Sequence, residues 1–360
     1  MRHLFIRAFA LMAILSVCSI SNSNLFAQGG TGGSGDFARS ENPTGSGSSV
    51  GIWSDGSWIT TAGASSAGPQ AGDTIFIGDR NAVIPATGLP SFPGTVEVDV
   101  DNDDGFGGTL ASRTVAEANL GNVSSNDTGI LNINGGVDLF VTGDVNLNQG
   151  ALNISSGNLD AGDIDVTGGT LDLSAGMISA NSLTFNSANA IGNLAATVNV
   201  DVLNILNGAD VDLSGGTVNA DDINIENATV TIQDDDFTDN VSITMGGSLI
   251  FAQDPGDTTG LTLDTLDIAA GSTFQLSFDA STALFTDDAD WVLQLTGDQQ
   301  DTLRGFINSG RLVSISPNSD LAFGVFFDGS NTFLTAIPEP GFLGALCLMG
   351  GLATLRRRRS

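Results

Sequence analysis

The sequence predicts an all-β protein: a right-handed parallel β-helix, or β-solenoid, with coils of about 20 residues and a cap at each end. Three observations carry that expectation. First, five ten-residue stretches share one pattern: DLFVTGDVNL from Asp138, GNLDAGDIDV from Gly157, GMISANSLTF from Gly176, ATVNVDVLNI from Ala196 and GTVNADDINI from Gly216. Their starts lie 19, 19, 20 and 20 residues apart, and each reads small, any, apolar, polar, small, two polar, apolar, polar, apolar. Second, most stretches are followed by a turn and a further apolar pair, such as Leu152 and Ile154 or Leu171 and Leu173. Third, the chain holds 47 glycines, many Asn, Asp, Ser and Thr, no lysine and few glutamates, which favours short strands joined by tight turns over helices.

In chain order, residues 1–27 (MRHLFIRAFALMAILSVCSISNSNLFA) run from Arg2, His3 and Arg7 through a short apolar stretch to small and polar residues, the layout of a secretory signal peptide. Leu15-Ser16-Val17 ahead of Cys18 lacks the small residue that lipoprotein processing needs. Residues 28–49 are Gly- and Ser-rich without apolar period and read as a flexible leader. Residues 50–120 read as an N-terminal β cap and first coils, with Trp53 and Trp58 followed by alternating strands at 73–77 and 95–100.

Residues 121–284 are the solenoid proper. Leu159, Ile164, Val166, Leu171 and Leu173 point inward, the interleaved Asn and Asp point out, and roughly seven coils stack between about 125 and 280. One coil departs from the pattern, with Asn186-Ser187-Ala188-Asn189-Ala190-Ile191 where its second strand belongs. A sandwich of antiparallel strands is the rival architecture. Residues 285–337 read as a C-terminal β cap, containing a short helix in DTLRGFINSGR (301–311) with Leu303, Phe306 and Ile307 at helical spacing and a stop at Gly310.

Charge sets limits on chemistry. Residues 1–27 and 338–360 carry six of the 11 cations, the only histidine and one of the 41 carboxylates. Arg39, Arg80, Arg113, Arg304 and Arg311 then face 40 carboxylates, a net charge of −35, and no cation occurs in the 190 residues between Arg113 and Arg304. Such a surface repels nucleic acid and anionic lipid and attracts divalent or basic partners. Ser-His-Asp and Cys-His catalysis lack their histidine, and uronate lyase chemistry lacks its cation. The chain is therefore expected to be no enzyme, with no catalytic residue and no organic cofactor.

Calcium is the one ion to consider. Asp99, Asp101, Asp103 and Asp104 open like an EF-hand, but Gly105 falls seventh and Leu110 stands where a bidentate Glu belongs. Trp53 and Trp58 are candidate carbohydrate contacts, with packing over the open end of the core as their other role.

The chain ends in Pro338-Glu339-Pro340, an uncharged apolar segment over 341–355, and Arg356, Arg357, Arg358 and Arg359. Together with the signal peptide this resembles the PEP-CTERM sorting signal of Gram-negative and related bacteria. About fifteen helical residues reach about 22 Å against a hydrocarbon core of about 30 Å, a marginal anchor. The four arginines would hold its end in the cytoplasm. The resemblance implies an exosortase-type membrane enzyme as partner, acting on the triplet after export through the Sec translocon. Residues 51–100 resemble the opening of bacterial surface proteins that carry autotransporter-associated β-strand repeats, and the segment Thr302 to Ala336 is similar to the final strand region that often precedes this sorting signal.

The expectation is an exported protein, transiently anchored by its C-terminus and then at the cell surface or outside. Its role is structural or adhesive in extracellular matrix or biofilm. The alternative is an extracellular carbohydrate-binding or carbohydrate-degrading β-helix protein with polysaccharide as partner. Nucleic acid is not expected as a partner, and membrane contact is expected only through the C-terminal segment.

Overall fold

The computed structural model describes residues 112–121, 128–213, 215–232, 240–252, 260–277, 292–315 and 321–338, together with strands at 36–39, 51–52, 58–60, 63–65, 74–77 and 94–98. Two long sheets dominate, one of fifteen strands and one of eleven. Over residues 138–232 each coil contributes one or two strands to the first sheet and one to the second. In the coil after Gly157, Asn158–Asp160 and Asp163–Val166 lie in the first sheet and Gly169–Leu173 in the second. In the next coils the two short pieces fuse into the ten-residue strands Met177–Asn186 and Thr197–Leu206.

Every pairing among the strands of residues 138–232 is parallel, as in Leu159↔Ile178, Ile164↔Leu183 and Leu171↔Gly192, so the chain is a parallel β-solenoid and not an antiparallel sandwich. The residue alternation explains why. Each strand offers an apolar inward row that a single coil cannot bury, and stacking at about 4.8 Å lets neighbouring coils cover it. Leu159 is 1% exposed, and Ile164, Val166, Leu171 and Leu173 are fully buried. Burying each such side chain stabilises by about 1.5–3 kcal/mol.

Three local features differ from the sequence pattern. In the Asp138 stretch, Leu139 and not Phe140 is the inward residue: Leu139 pairs with Leu159 and is buried, while Phe140 is 38% exposed. Six steps separate Leu139 from Val145 but only five separate Leu159 from Ile164, so this coil carries one extra corner residue. A slip of one residue exchanges faces along a whole strand.

The coil after Gly176 has its second strand after all, at Ala190–Leu194, with Gly192 in the inward position held by Leu171 below and Val211 above. A side chain there would meet the ring of Phe185, whose Cζ would lie 2.7 Å from an added Cβ. Phe185 itself stands in register with Val166 and Ile205. The coil thus moves its core volume from one sheet to the other.

The ladder also starts earlier than the repeat. Asp36–Arg39, inside the segment read as leader, pairs in parallel with Thr74–Ile77, and Gly51–Ile52 pairs with Gly94–Val98. Backbone pairing needs no apolar period, so the pattern could not show it.

At the other end a four-stranded sheet is ordered Leu261–Leu263, Leu293–Thr296, Asn331–Pro338, Leu321–Phe327, the first pair parallel and the others antiparallel. The helix is Gln300–Asn308, with Leu303 and Phe306 buried. Its start is fixed by Thr332, whose hydroxyl accepts from the Gln299 N–H at 2.7 Å and donates to the Gly297 carbonyl at 2.7 Å. Gly310, at φ +69°, ends it as the sequence predicts.

Leu312–Ser314 then adds a last strand to the second sheet. The first sheet ends at Thr265–Ile268. Ala269 donates back into the stack to Ile243, so the Ile268 carbonyl faces the open edge, where the Arg311 guanidinium donates to it. The same guanidinium lies 4.8 Å over the Phe306 ring. Arg311 therefore seals an edge that would otherwise pair with another strand.

Candidate functional surface

The outward positions form columns. On the first sheet Asn119, Asn146, Asp165, Thr184, Asn204 and Asn224 stand in register one above another. Neighbours bond along the column: Asn146 Nδ2 donates to Asn119 Oδ1 at 3.0 Å, Asn204 Nδ2 to Thr184 Oγ1 at 3.2 Å, and Asn224 Nδ2 to Asn204 Oδ1 at 3.0 Å. A second column repeats the device, with Ser182 Oγ donating to Asp163 Oδ1 at 2.8 Å and Asn240 Nδ2 to Asp222 Oδ1 at 3.0 Å.

An amide suits this role because it both donates and accepts, so each can pass a bond to the next coil. On the second sheet the column runs Asn132, Asn153, Asp172, Asn193 and Asp212, with an amide between its two carboxylates. The intervening Asn193 keeps Asp172 and Asp212 two coils apart, about 10 Å, which approaches the screening length of physiological salt.

Asp144, Asp163 and Asp165 lie close together on the first sheet. Asp163 N–H donates to Asp144 Oδ1 at 3.3 Å, and Asp165 is the next outward residue. Asp165 is held above the ordinary carboxylate range, first by partial burial and then by the charges of Asp163 and Asp144. Asp160 is raised by partial burial alone. Asp328 runs the other way, lowered by the backbone N–H groups of Asn331 and Ser330.

The signs decide a pH dependence. A carboxyl raised in the folded state binds its proton more tightly there, so the stability it contributes is present below its unfolded pKa and lost as pH rises through the folded one. Asp165 and Asp160 thus favour mildly acidic conditions. Asp328 contributes stability above its unfolded pKa, lost only as pH falls through the lowered value. Thermal unfolding followed from pH 7 down towards 3.8, the ordinary carboxylate value, should show a rising midpoint, and Asp165→Asn should flatten that rise. A midpoint that falls over this range, or a rise untouched by the substitution, would refute the assignment.

The candidate residues read from sequence are placed as follows. Trp58 opens the strand Trp58–Thr60, paired with Gly63–Ser65. Pro338 closes the strand Asn331–Pro338, opposite Leu321. Trp53, Asp99, Asp101, Asp103, Asp104, Glu339, Pro340 and Arg356 to Arg359 lie outside the described residues, as do 1–27 and the apolar segment 341–355. Among the described residues no group of three or more His, Cys, Asp or Glu is placed to hold a metal ion, and no helix is long and apolar enough to cross a membrane.

The amide ladder was present in the sequence, since Asn146, Asp165, Thr184, Asn204 and Asn224 all occupy the ninth position of the five aligned stretches. Pattern reading marks that position only as polar. Asn146, Thr184, Asn204 and Asn224 prove to bond to a neighbouring coil.

No protein-family model matches the chain, no curated protein is significantly similar to it in sequence, and no solved structure matches its fold significantly.

Proposed function

We propose that this chain is an exported, surface-sorted acidic β-solenoid that serves as a structural or adhesive element outside the cell. Its C-terminal segment 338–360 acts as an address cut by an exosortase-type enzyme after Sec export. The observation that carries this is the conjunction, in one chain, of a signal-peptide start, the Pro338-Glu339-Pro340 triplet, an uncharged segment at 341–355 and Arg356 to Arg359.

The solenoid supports the role assigned to the delivered part. Its outward faces carry columns of amides and carboxylates, with the same few groups repeated and bonded from coil to coil. Extended repetitive faces suit contact with other extended polymers.

The test follows a tagged chain by cell fractionation, with and without residues 338–360 and with all three triplet residues replaced by alanine. The intact chain is expected to lose its tail and reach the surface or medium. The triplet variant should stay uncut in the membrane, and the truncated chain should pass directly into the periplasm or medium. Identical distribution and identical mass at the C-terminus for all three would refute sorting by this segment.

A further inference from the structure

We infer that Met245 is a modification site: its thioether is displayed to take an oxygen atom from a hydroperoxide, giving methionine sulfoxide, while the solenoid keeps its fold. Between residues 28 and 337 the chain has no cysteine, and Met177 and Met245 hold its only sulfur atoms. The two are placed in opposite ways.

Met245 stands at the corner between the strands Asn240–Thr244 and Ser248–Ala252, in a turn closed by the Gly247 N–H donating to the Thr244 carbonyl at 2.8 Å. Its φ is +50° and that of Gly246 is +85°, the two left-handed residues of a type I′ turn. Such a turn favours Asn or Gly at its first central position, and Asn207, followed by Gly208, fills that position two coils earlier. Methionine brings this backbone no advantage and carries the strain of a Cβ in the left-handed region. Packing does not explain it either. Met245 is 69% exposed, whereas no other large apolar side chain among the described residues exceeds 44%. An unfavourable backbone retained under a solvent-facing thioether points to a use for the side chain itself.

Met177 is partly buried on the strand Met177–Asn186, and its sulfur accepts from Asn199 Nδ2 at 3.0 Å. One sulfur lone pair is thus engaged, and approach to the atom is narrowed by the neighbouring coil. At Met245 a lone pair is free to attack the terminal oxygen of a hydroperoxide. The S–O bond forms as the O–O bond breaks, and the proton of the attacked oxygen passes to the departing one, which leaves as water or an alcohol. The sulfur loses two electrons and the peroxide gains them. The new polar S=O group points into water from a corner, so no buried group loses a partner. At Met177 the same oxygen would have to fit between the sulfur and Asn199. The site is the same wherever the chain is delivered.

The test exposes the full chain, in peroxide-free nonionic detergent, to dilute hydrogen peroxide and follows each sulfur by peptide mass. Cleavage before aspartates puts Met177 on the peptide 172–200 and Met245 on 239–253, each without another sulfur. In the folded chain the Met245 peptide should gain one oxygen at least about tenfold faster than the Met177 peptide, and in denaturant the two rates should converge. The chain oxidised at Met245 alone should melt as the unoxidised chain does. Met245→Asn, which restores the residue type of the equivalent turn, should melt no lower than the parent and leave the 239–253 peptide without added oxygen. Equal rates in the folded chain, or a rate difference that persists in denaturant, would overturn the inference. So would a lower melting midpoint after oxidation at Met245 or in Met245→Asn, since either would make Met245 a packing residue.

Discussion

Replacing Gly176 by alanine should lower the stability of the solenoid by about 2–5 kcal/mol, the sum of a left-handed backbone forced on a residue with a Cβ and of overpacking against a neighbour that cannot retreat. Gly176 has φ +91°, and an added Cβ would collide with the backbone carbonyl of Gly157, one coil below. Because the obstacle is the backbone of the ladder, relief requires the two coils to part. Gly136 is the control: its φ is +77°, but an added Cβ would meet nothing within 4 Å. Gly136→Ala should therefore lose only the backbone contribution, about 1–2 kcal/mol. Chemical denaturation of both variants measures the difference, and equal losses would show that the close approach of the coils is not what selects glycine at 176.

The second large effect concerns the coil that moves its volume across the core. Gly192→Leu should destabilise by about 1–3 kcal/mol, because the new side chain enters space filled by the buried Phe185 ring. Phe185→Val alone should destabilise by about 2–4 kcal/mol through the cavity it leaves. The two together restore the arrangement of the coil below, where Val166 and Leu171 occupy the same two positions. The double variant should therefore recover most of the loss, with a coupling energy of about 1–3 kcal/mol in a double-mutant cycle. Simple additivity would mean that the two positions do not share one space.

The same residues show how far the fold is legible without coordinates. Period, parallel stacking and the inward set around Leu159 to Leu173 follow from side chains repeating at fixed phase, and the helix around Leu303 follows from its spacing. Gly192 hid a strand because its inward position is empty of side chain, and the reason for the emptiness, Phe185, lies seven residues earlier. The extra corner residue of the Asp138 coil hid in a five-residue interval that still looked periodic.

Left-handed corners are only partly readable. Asn207 at φ 56° and Asn227 at φ 49° sit where their residue type suggests, whereas Met245, at φ 50° in the next coil, carries no such signal. Of the surface, the sequence shows which residues face out but not that they bond to one another from coil to coil. It also shows the scarcity of cations without their use. Arg113 lies buried in register with Leu139, and Arg304 and Arg311 donate to edge carbonyls. Scarcity read only as a limit on catalysis misses that Arg113 stands in the core and Arg304 and Arg311 at strand edges.

The seal that Arg311 places on the Ile268 carbonyl has a mechanical side. A stack tethered by its C-terminus and pulled along its axis carries load first through that end, and each coil below is held only to its neighbours. Once the Arg311 latch gives way, coils should unspool one at a time. The first coil at that end releases 25 residues, the register distance from Leu249 to Phe274, and those below it about 20, roughly 60–80 Å of extended chain net of the coil's own rise. A tether of this kind yields in steps under sustained tension, paying out length while the rest of the rod keeps its shape.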